Sequence, residues 1–184
     1  MSLAPAQRLE LLDLARTSID SALRRGEPVP YSRESPHPQL NRLAASFVTL
    51  RIGENLRGCC GTVEPSRPLH EDVWNNAWAS AFADPRFPPL TPEEWQDTSI
   101  QISVLSEPER CDVGSEAELL EVLRPAIDGL VLEYGGKRST FLPAVWEQLP
   151  NPGDFVHHLK MKAGWPVNFW PADMQVWRYT TESF

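Results

Sequence analysis

Apolar residues recur every three or four positions near the start of the chain, and this spacing predicts a helix from about Pro5 to Arg25. The apolar stripe consists of Leu9, Leu12, Ala15, Ile19, Ala22 and Leu23. Proline suits the first turn of a helix, and Gly26 suits the position just after its end. The polar segment from about residue 26 to residue 40 contains four prolines and is predicted to be an exposed loop.

Shorter apolar runs predict strands in the rest of the chain. Residues 45–52 and 56–63 flank a Gly-Glu-Asn turn, and residues 129–141 contain a Gly-Gly turn, so each segment predicts a β-hairpin. Residues 99–105 alternate between apolar and polar side chains, as in a strand with one buried face. Further helices are predicted at about 68–83, 115–124 and 154–162, and a last strand at 174–179. The hairpins predict an α+β fold with a mainly antiparallel central sheet and flanking helices, in one domain spanning 1–184.

Composition and charge exclude several classes of protein. The chain has 17 Lys and Arg against 25 Asp and Glu, and the net charge of −8 argues against binding to nucleic acid. No apolar run reaches the roughly 20 residues of a membrane helix, and the first residues do not resemble a signal peptide. The three cysteines lack disulfide or zinc-site spacing. We therefore expect reduced thiols, a cytoplasmic protein with no membrane partner, and neither a metal nor a cofactor.

The stretch LRGCCG is the strongest candidate for chemistry. Regular strand alternation would place Arg57 and Cys59 on one face, and Leu56 and Cys60 on the apolar face opposite. An arginine two residues from a thiol can favour the thiolate. Two glycines, at positions 58 and 61, leave the backbone open to close approach by a ligand or a strand. We expect this strand to be central in the sheet and to line a cleft. The alternative is a buried cysteine beside an arginine that pairs with an acid elsewhere.

A second candidate is the proline-rich segment after the predicted helix at 68–83. Asp84 and Arg86 are separated by one proline, so together they could clamp an anionic ligand. The pair is more typical of a structural salt bridge that fastens an irregular loop, and we favour that interpretation.

The last predicted helix carries two adjacent histidines, His157 and His158. Neighbouring residues on a helix point about 100° apart, so the pair cannot ligate one metal as an i, i+4 pair does. One of them could serve as a base for Cys59 if the fold brings them together. We expect Lys160 and Lys162 to form a solvated last turn, where cations suit the helix dipole.

Five motifs occur in this order along the chain: LRGCCG, NNAWASAFADPRFPP, QISVLSEPE, DGLVLEYGGKRSTFLPAVWE and FVHHLKMKAG. Taken together they resemble those of the AMMECR family, which is named after an Alport syndrome, midface hypoplasia and elliptocytosis chromosomal region. Its prokaryotic members are called AmmeMemoRadiSam system protein A. The resemblance runs from about Leu40 to the C-terminus. It implies an α+β fold with a larger sheet-and-helix part and a smaller subdomain.

The resemblance also singles out residues. The family's LRGCIG motif matches this chain with Cys60 in place of isoleucine, and Ser139 stands where the family usually has glycine. The matched positions that we predict to bind a ligand are Gly58, Gly61, Asp84, Arg86, Thr140 and Lys160.

Two functional hypotheses follow. In the first, the protein is an enzyme of a modification pathway shared with Memo-like and radical SAM proteins, partners that the resemblance implies. Cys59 would be the nucleophile or covalent carrier, Arg57 would stabilise a thiolate or a small anionic ligand, and His158 would be the base. In the second, the chain is a non-catalytic binding or adaptor domain for the same partners, and Cys59 merely packs. Cys60 and Cys111 are expected to be structural in both.

Overall fold

A computed structural model of the protein describes residues 2–31 and 33–184, which divide into two compact units. The first and larger unit comprises the chain up to Leu105 together with Glu182–Phe184, and the second unit is Ser106–Thr181. The described residues form two four-stranded antiparallel sheets together with five α-helices. The predicted α+β class is confirmed, and its strands are shared between two sheets.

The helices and strands follow one another along the chain with short connections. The helices are α1 (Pro5–Arg25), α2 (Leu69–Phe82), α3 (Pro92–Gln96), α4 (Glu116–Val122) and α5 (Pro152–Lys162). The strands are β1 (Ser46–Ile52), β2 (Asn55–Gly61), β3 (Thr98–Leu105), β4 (Glu109–Arg110), β5 (Gly129–Tyr134), β6 (Lys137–Phe141), β7 (Gln175–Tyr179) and β8 (Thr181–Ser183). Single 3-10 turns occur at Pro38–Asn41 and Pro143–Glu147. Among the described helices, none is long and apolar enough to cross a membrane.

The sheet of the first unit has the order β2-β1-β3-β8, so the LRGCCG strand β2 lies at an edge. The prediction that this strand is central is therefore wrong, because the hairpin partner β1 takes the inner position. The core of the unit contains buried residues of α1, α2, β1 and β3. They include Leu11, Ile19, Val48, Leu50, Val73, Ala77 and Ile102.

Helix α2 is fastened to the sheet by a buried carboxylate. Asp72 is fully buried and accepts hydrogen bonds from the amide and hydroxyl of Ser46, at 2.9 and 2.7 Å. The Thr62 hydroxyl and the Asn76 amide group also donate to it. Burial raises the pKa of Asp72, and the hydrogen bonds from Ser46 and Thr62 act in the opposite direction. This network joins the start of β1, the end of β2 and helix α2.

The second unit has a sheet of order β4-β7-β5-β6 and a separate aromatic core. The Trp146 ring stacks on Phe155 with centroids 3.8 Å apart, and the Trp146 indole nitrogen donates to the carbonyl of Asp128. The Asp128 carboxylate is fully buried and accepts from the Arg124 side chain at 2.6 Å. Each buried polar group named here has a partner, as expected for a well-packed interior.

Candidate functional site

A β-bulge changes the faces that side chains of β2 occupy. Leu50 pairs with Gly58, but the next residue, Arg51, pairs with Leu56, so Arg57 is the extra residue of the bulge. Cys59 pairs with Thr49, and paired residues share a face of the sheet. Thr49 and Arg51 are two residues apart on β1 and also share a face, so Leu56, the partner of Arg51, lies on the same side of the sheet as Cys59. The predicted alternation is therefore wrong for Leu56, because it assumed an uninterrupted strand.

Arg57 is buried and bound to an acid. Its Nε and Nη2 atoms each donate to the Glu94 carboxylate at 2.9 Å, and Nη2 also donates to the carbonyl of Pro88. The Arg57 guanidinium and the Thr91 amide hold the pKa of Glu94 down at about 2. Arg57 thus ties the bulge to the start of α3. This arrangement is the alternative left open above, an arginine paired with an acid elsewhere.

Asp84 and Arg86 form hydrogen bonds to the backbone of Cys59. The Cys59 amide donates to Asp84 Oδ2 at 2.9 Å, and Arg86 Nη2 donates to the Cys59 carbonyl at 3.2 Å. Arg86 also binds Asp84 through Nε and Nη2, at 2.9 and 2.6 Å. Asp84 is buried, and these bonds, chiefly those from Arg86, keep its pKa far below the usual range. The pair is a structural salt bridge, and it fixes the position of one cysteine.

The two adjacent thiols have different surroundings. Cys59 is half-buried, and the Thr49 hydroxyl donates to its sulfur at 3.4 Å. Cys60 pairs with Val48, a fully buried residue of the core, so it lies on the face that carries α2, as predicted. The Cys60 amide donates to the Ser80 hydroxyl of α2 at 2.8 Å. Burial, followed by the charge of Asp84, raises the pKa of the Cys60 thiol.

The two glycines of the LRGCCG motif are in close contact with other parts of the protein. A Cβ atom on Gly58 would lie 2.0 Å from the backbone oxygen of Ser80, and one on Gly61 would lie 2.3 Å from the Phe47 ring. Close approach is therefore made by helix α2 and by strand β1. A ligand at Gly58 or Gly61 would have to displace these atoms, and ligand binding there stays a prediction.

The remaining predicted residues belong to the second unit. The His157 and His158 rings meet edge to face with centroids 5.6 Å apart, and His158 is exposed. Because Cys59 belongs to the first unit, the role of either histidine as its base stays a prediction. Cys111 is half-buried against the second core, and burial raises its pKa.

Lys160 is fully buried, so the prediction of a solvated side chain is wrong for this residue. Its ammonium group donates to Glu116 at 2.5 Å and to the carbonyl of Val167, which compensate the charge. Lys162 is exposed, as predicted, and its ammonium donates to the carbonyl of Thr140. The Thr140 hydroxyl lies 3.0 Å from the hydroxyl of Tyr179. Thr140 and Lys160 thus make internal contacts, and ligand binding by either stays a prediction.

The comparisons with known proteins agree with one another. The AMMECR1 family model matches residues 12–184. The chain belongs to the AMMECR1 family. A protein of Methanothermobacter thermautotrophicus is 35% identical over 100% of this chain and 98% of its own length. One from Thermotoga maritima is 33% identical over 90% and 91%. The crystal structure of the uncharacterized protein PH0010 from Pyrococcus horikoshii has a TM-score of 0.80 and 32% identity, and the match covers 94% of this chain and 88% of that one.

In this AMMECR1-family chain, sequence reasoning missed three residues that shape the site. Thr49 and Ser80 contact the cysteines from β1 and α2, and nothing in their local sequence marks them. Glu94 had a visible signal, since Thr91-Pro-Glu-Glu94 is a capping box that starts α3. Among residues 2–31 and 33–184, no group of three or more His, Cys, Asp or Glu side chains is arranged to hold a metal ion.

Proposed function

We propose that this protein acts through Cys59, as a nucleophile or covalent carrier for an electrophilic small molecule that bears an anionic group. The observation that carries the proposal is the convergence of contacts on this one residue. Asp84 and Arg86 hold its amide and carbonyl, and the Thr49 hydroxyl donates to its sulfur. A side chain positioned in this way needs little reorganisation before it reacts.

The chemical step is a displacement. The Cys59 thiol gives its proton to water, and the thiolate attacks an electrophilic carbon of the ligand. A sulfur–carbon bond forms, and the bond to the leaving group breaks, with the electron pair departing on the leaving group. A second nucleophile, water or an acceptor molecule, then releases the carried group from sulfur. No change of oxidation state is required.

Two side chains support this step. The Thr49 hydroxyl donates to the Cys59 sulfur and so orients the side chain that attacks. The Arg86 side chain is 54% exposed although Asp84 binds one of its edges. It is therefore better placed than the buried Arg57, whose charge Glu94 balances, to meet an anionic group of the ligand.

The rate of alkylation by iodoacetamide tests the proposal. Rates at Cys59, Cys60 and Cys111 are measured across pH by mass spectrometry of the separate peptides, and the other two cysteines serve as internal controls. We expect Cys59 to react fastest, and Thr49→Val to slow Cys59 at neutral pH while Thr49→Ser restores the rate. If Cys59 reacts no faster than a free thiol, or if Cys59→Ser complements a deletion strain fully, the nucleophilic role is refuted.

A non-catalytic adaptor is the second candidate, and one observation favours it. Both arginines of the site are neutralised within the protein, Arg57 by Glu94 and Arg86 by Asp84. In this proposal the Asp84-Pro85-Arg86 segment and the Cys59 backbone that it binds form a fixed surface for Memo-like or radical SAM proteins, and the Cys59 side chain only packs. Co-purification with such partners that survives Cys59→Ser but is lost with Arg86→Ala supports the adaptor. Turnover of a metabolite by the protein alone refutes it.

A further inference from the structure

A cavity of about 350 Å³ lies in the first unit, between the end of α1, the loop that follows it and helix α2. Ala22 and Leu23 line it from α1, and Trp78 and Phe82 line it from α2. Its volume falls within the range of small-molecule sites, roughly 300–1,000 Å³. None of the residues assigned above to the Cys59 site is among those that line it.

The walls of the cavity are held by hydrogen bonds. The indole nitrogen of Trp74 donates to the carbonyl of Val29 at 2.7 Å, which fixes the loop after α1 against α2. On the other side, the amide of Leu90, a lining residue, donates to the carbonyl of Ala81 at 2.8 Å. These bonds hold the loop after α1 and the segment at Leu90 in place beside helix α2.

Two aromatic rings that line the cavity remain partly exposed, although Phe82 also packs against the edge of the core. Helix α2 carries a second apolar stripe, of which Trp74 is buried, but Trp78 and Phe82 are only half-buried. The centroids of Trp78 and Phe82 lie 6.2 Å apart, with the ring planes inclined by 37°. Such a pair suits a planar apolar group, which would cover aromatic surface that now meets water.

The charges around the cavity favour a ligand that carries a positive charge beside its apolar group. Among the described residues that line it, Glu27 is the one with a charged side chain. The C-terminal end of α1, which carries a partial negative charge, lies in the same wall. Aromatic faces also attract cations. Arg24 and Arg25 stand on the last turn of α1 outside the lining, and Arg24 Nε donates to the carbonyl of Asp20.

We propose that this cavity binds a small molecule in which a planar aromatic group carries a protonated amine. The aromatic group packs against Trp78 and Phe82, and the ammonium faces Glu27 and the end of α1. This site is separate from the thiol site, so the proposal does not depend on the function proposed for Cys59.

An NMR titration of the full ¹⁵N-labelled chain tests the proposal with two probes that share one ring. Tryptamine carries the ammonium, and indole-3-propionate carries a carboxylate in its place. We expect tryptamine to shift the Trp78 indole signal, assigned by its loss in Trp78→Phe, together with the amides of Leu23 and Gly26. Indole-3-propionate should bind at least fivefold more weakly. Equal binding of the two probes, or tryptamine shifts that map to other residues, overturns the proposal, as does the absence of any shift at millimolar tryptamine.

Two charge variants refine the test. Glu27→Gln should weaken tryptamine binding about two- to fivefold, the range expected for an exposed ion pair. Glu93→Gln is the matched control, because Glu93 is an exposed acid of the same unit that does not line the cavity. If both variants bind tryptamine as the wild type does, Glu27 does not recognise the ammonium and the assignment of the amine end is wrong.

Discussion

Replacing Gly58 by alanine tests the packing on which the site depends. The new Cβ would lie 2.0 Å from the backbone oxygen of Ser80, whereas contacts of real Cβ atoms are ordinary from 3.4 Å. The contact atom belongs to the backbone of α2 and cannot rotate away. Helix α2 and strand β2 must therefore separate locally by about 1.4 Å to admit the methyl group.

The cost follows from the bonds that this separation breaks. The Ser80 hydroxyl accepts from the Cys60 amide at 2.8 Å and lies 2.7 Å from the carbonyl of Val48, so it joins both strands to the helix. Each hydrogen bond is worth about 0.5–1.5 kcal/mol, and overpacking costs about 1–3 kcal/mol. We expect Gly58→Ala to lower the free energy of unfolding by about 2–6 kcal/mol. This loss outweighs the gain of about 0.4–1 kcal/mol that alanine makes by restricting the unfolded chain.

Urea denaturation followed by tryptophan fluorescence and circular dichroism measures this loss. Gly114→Ala is the matched control, since its Cβ would meet only the Glu118 carboxylate at 3.7 Å. That variant should stay within about 0.5 kcal/mol of the wild type. If Gly58→Ala is equally harmless, α2 does not press on β2 as described and the reasoning about this glycine is refuted.

Three further predictions concern charge and the second thiol. Arg86 lowers the pKa of Asp84 in the folded protein, so Asp84 stabilises the fold above its unfolded pKa of about 3.9. This contribution is lost as the pH falls towards the folded pKa, and Asp84→Asn should therefore flatten the dependence of the urea midpoint on pH below about 5. Glu116→Gln strands the buried Lys160 ammonium and should cost about 3–5 kcal/mol, whereas Lys160→Met should cost less in the same denaturation assay; equal losses would contradict this. Cys60→Ile should change stability by at most about 1–3 kcal/mol and leave the alkylation rate of Cys59 unchanged, and a slower Cys59 would show that the two faces are coupled.

Local patterns in the sequence predicted the regular elements well. The stripe over Pro5–Arg25 gave the bounds of α1, and both hairpins occur at the predicted turns. These successes share a cause, since helix periodicity and turn chemistry act over a few residues. Helix α3 was missed because five residues are too few for a periodic pattern, although its capping box was present.

The site depended on contacts that no local pattern encodes. Arg57 and Glu94 are 37 residues apart, and Asp84 meets Cys59 across 25 residues. The bulge at Arg57 lies beside Gly58, but a glycine in a strand indicates either a bulge or a close approach of backbone, and its local sequence did not distinguish the two. The bulge reversed the expected face of Leu56. Burial of Lys160 escaped prediction for the same reason, because its partner Glu116 lies on another helix.

Strand β2 is an edge strand, so the Asp84-Pro85-Arg86 segment also affects the tendency of the protein to self-associate at high concentration. A free strand edge invites strands of other molecules to pair with it, which is a common route to aggregation. At Cys59 the two backbone groups that such a strand would need are already bound by Asp84 and Arg86. The segment therefore hinders self-association, and a variant that frees the Cys59 backbone should form oligomers and fibrils more readily.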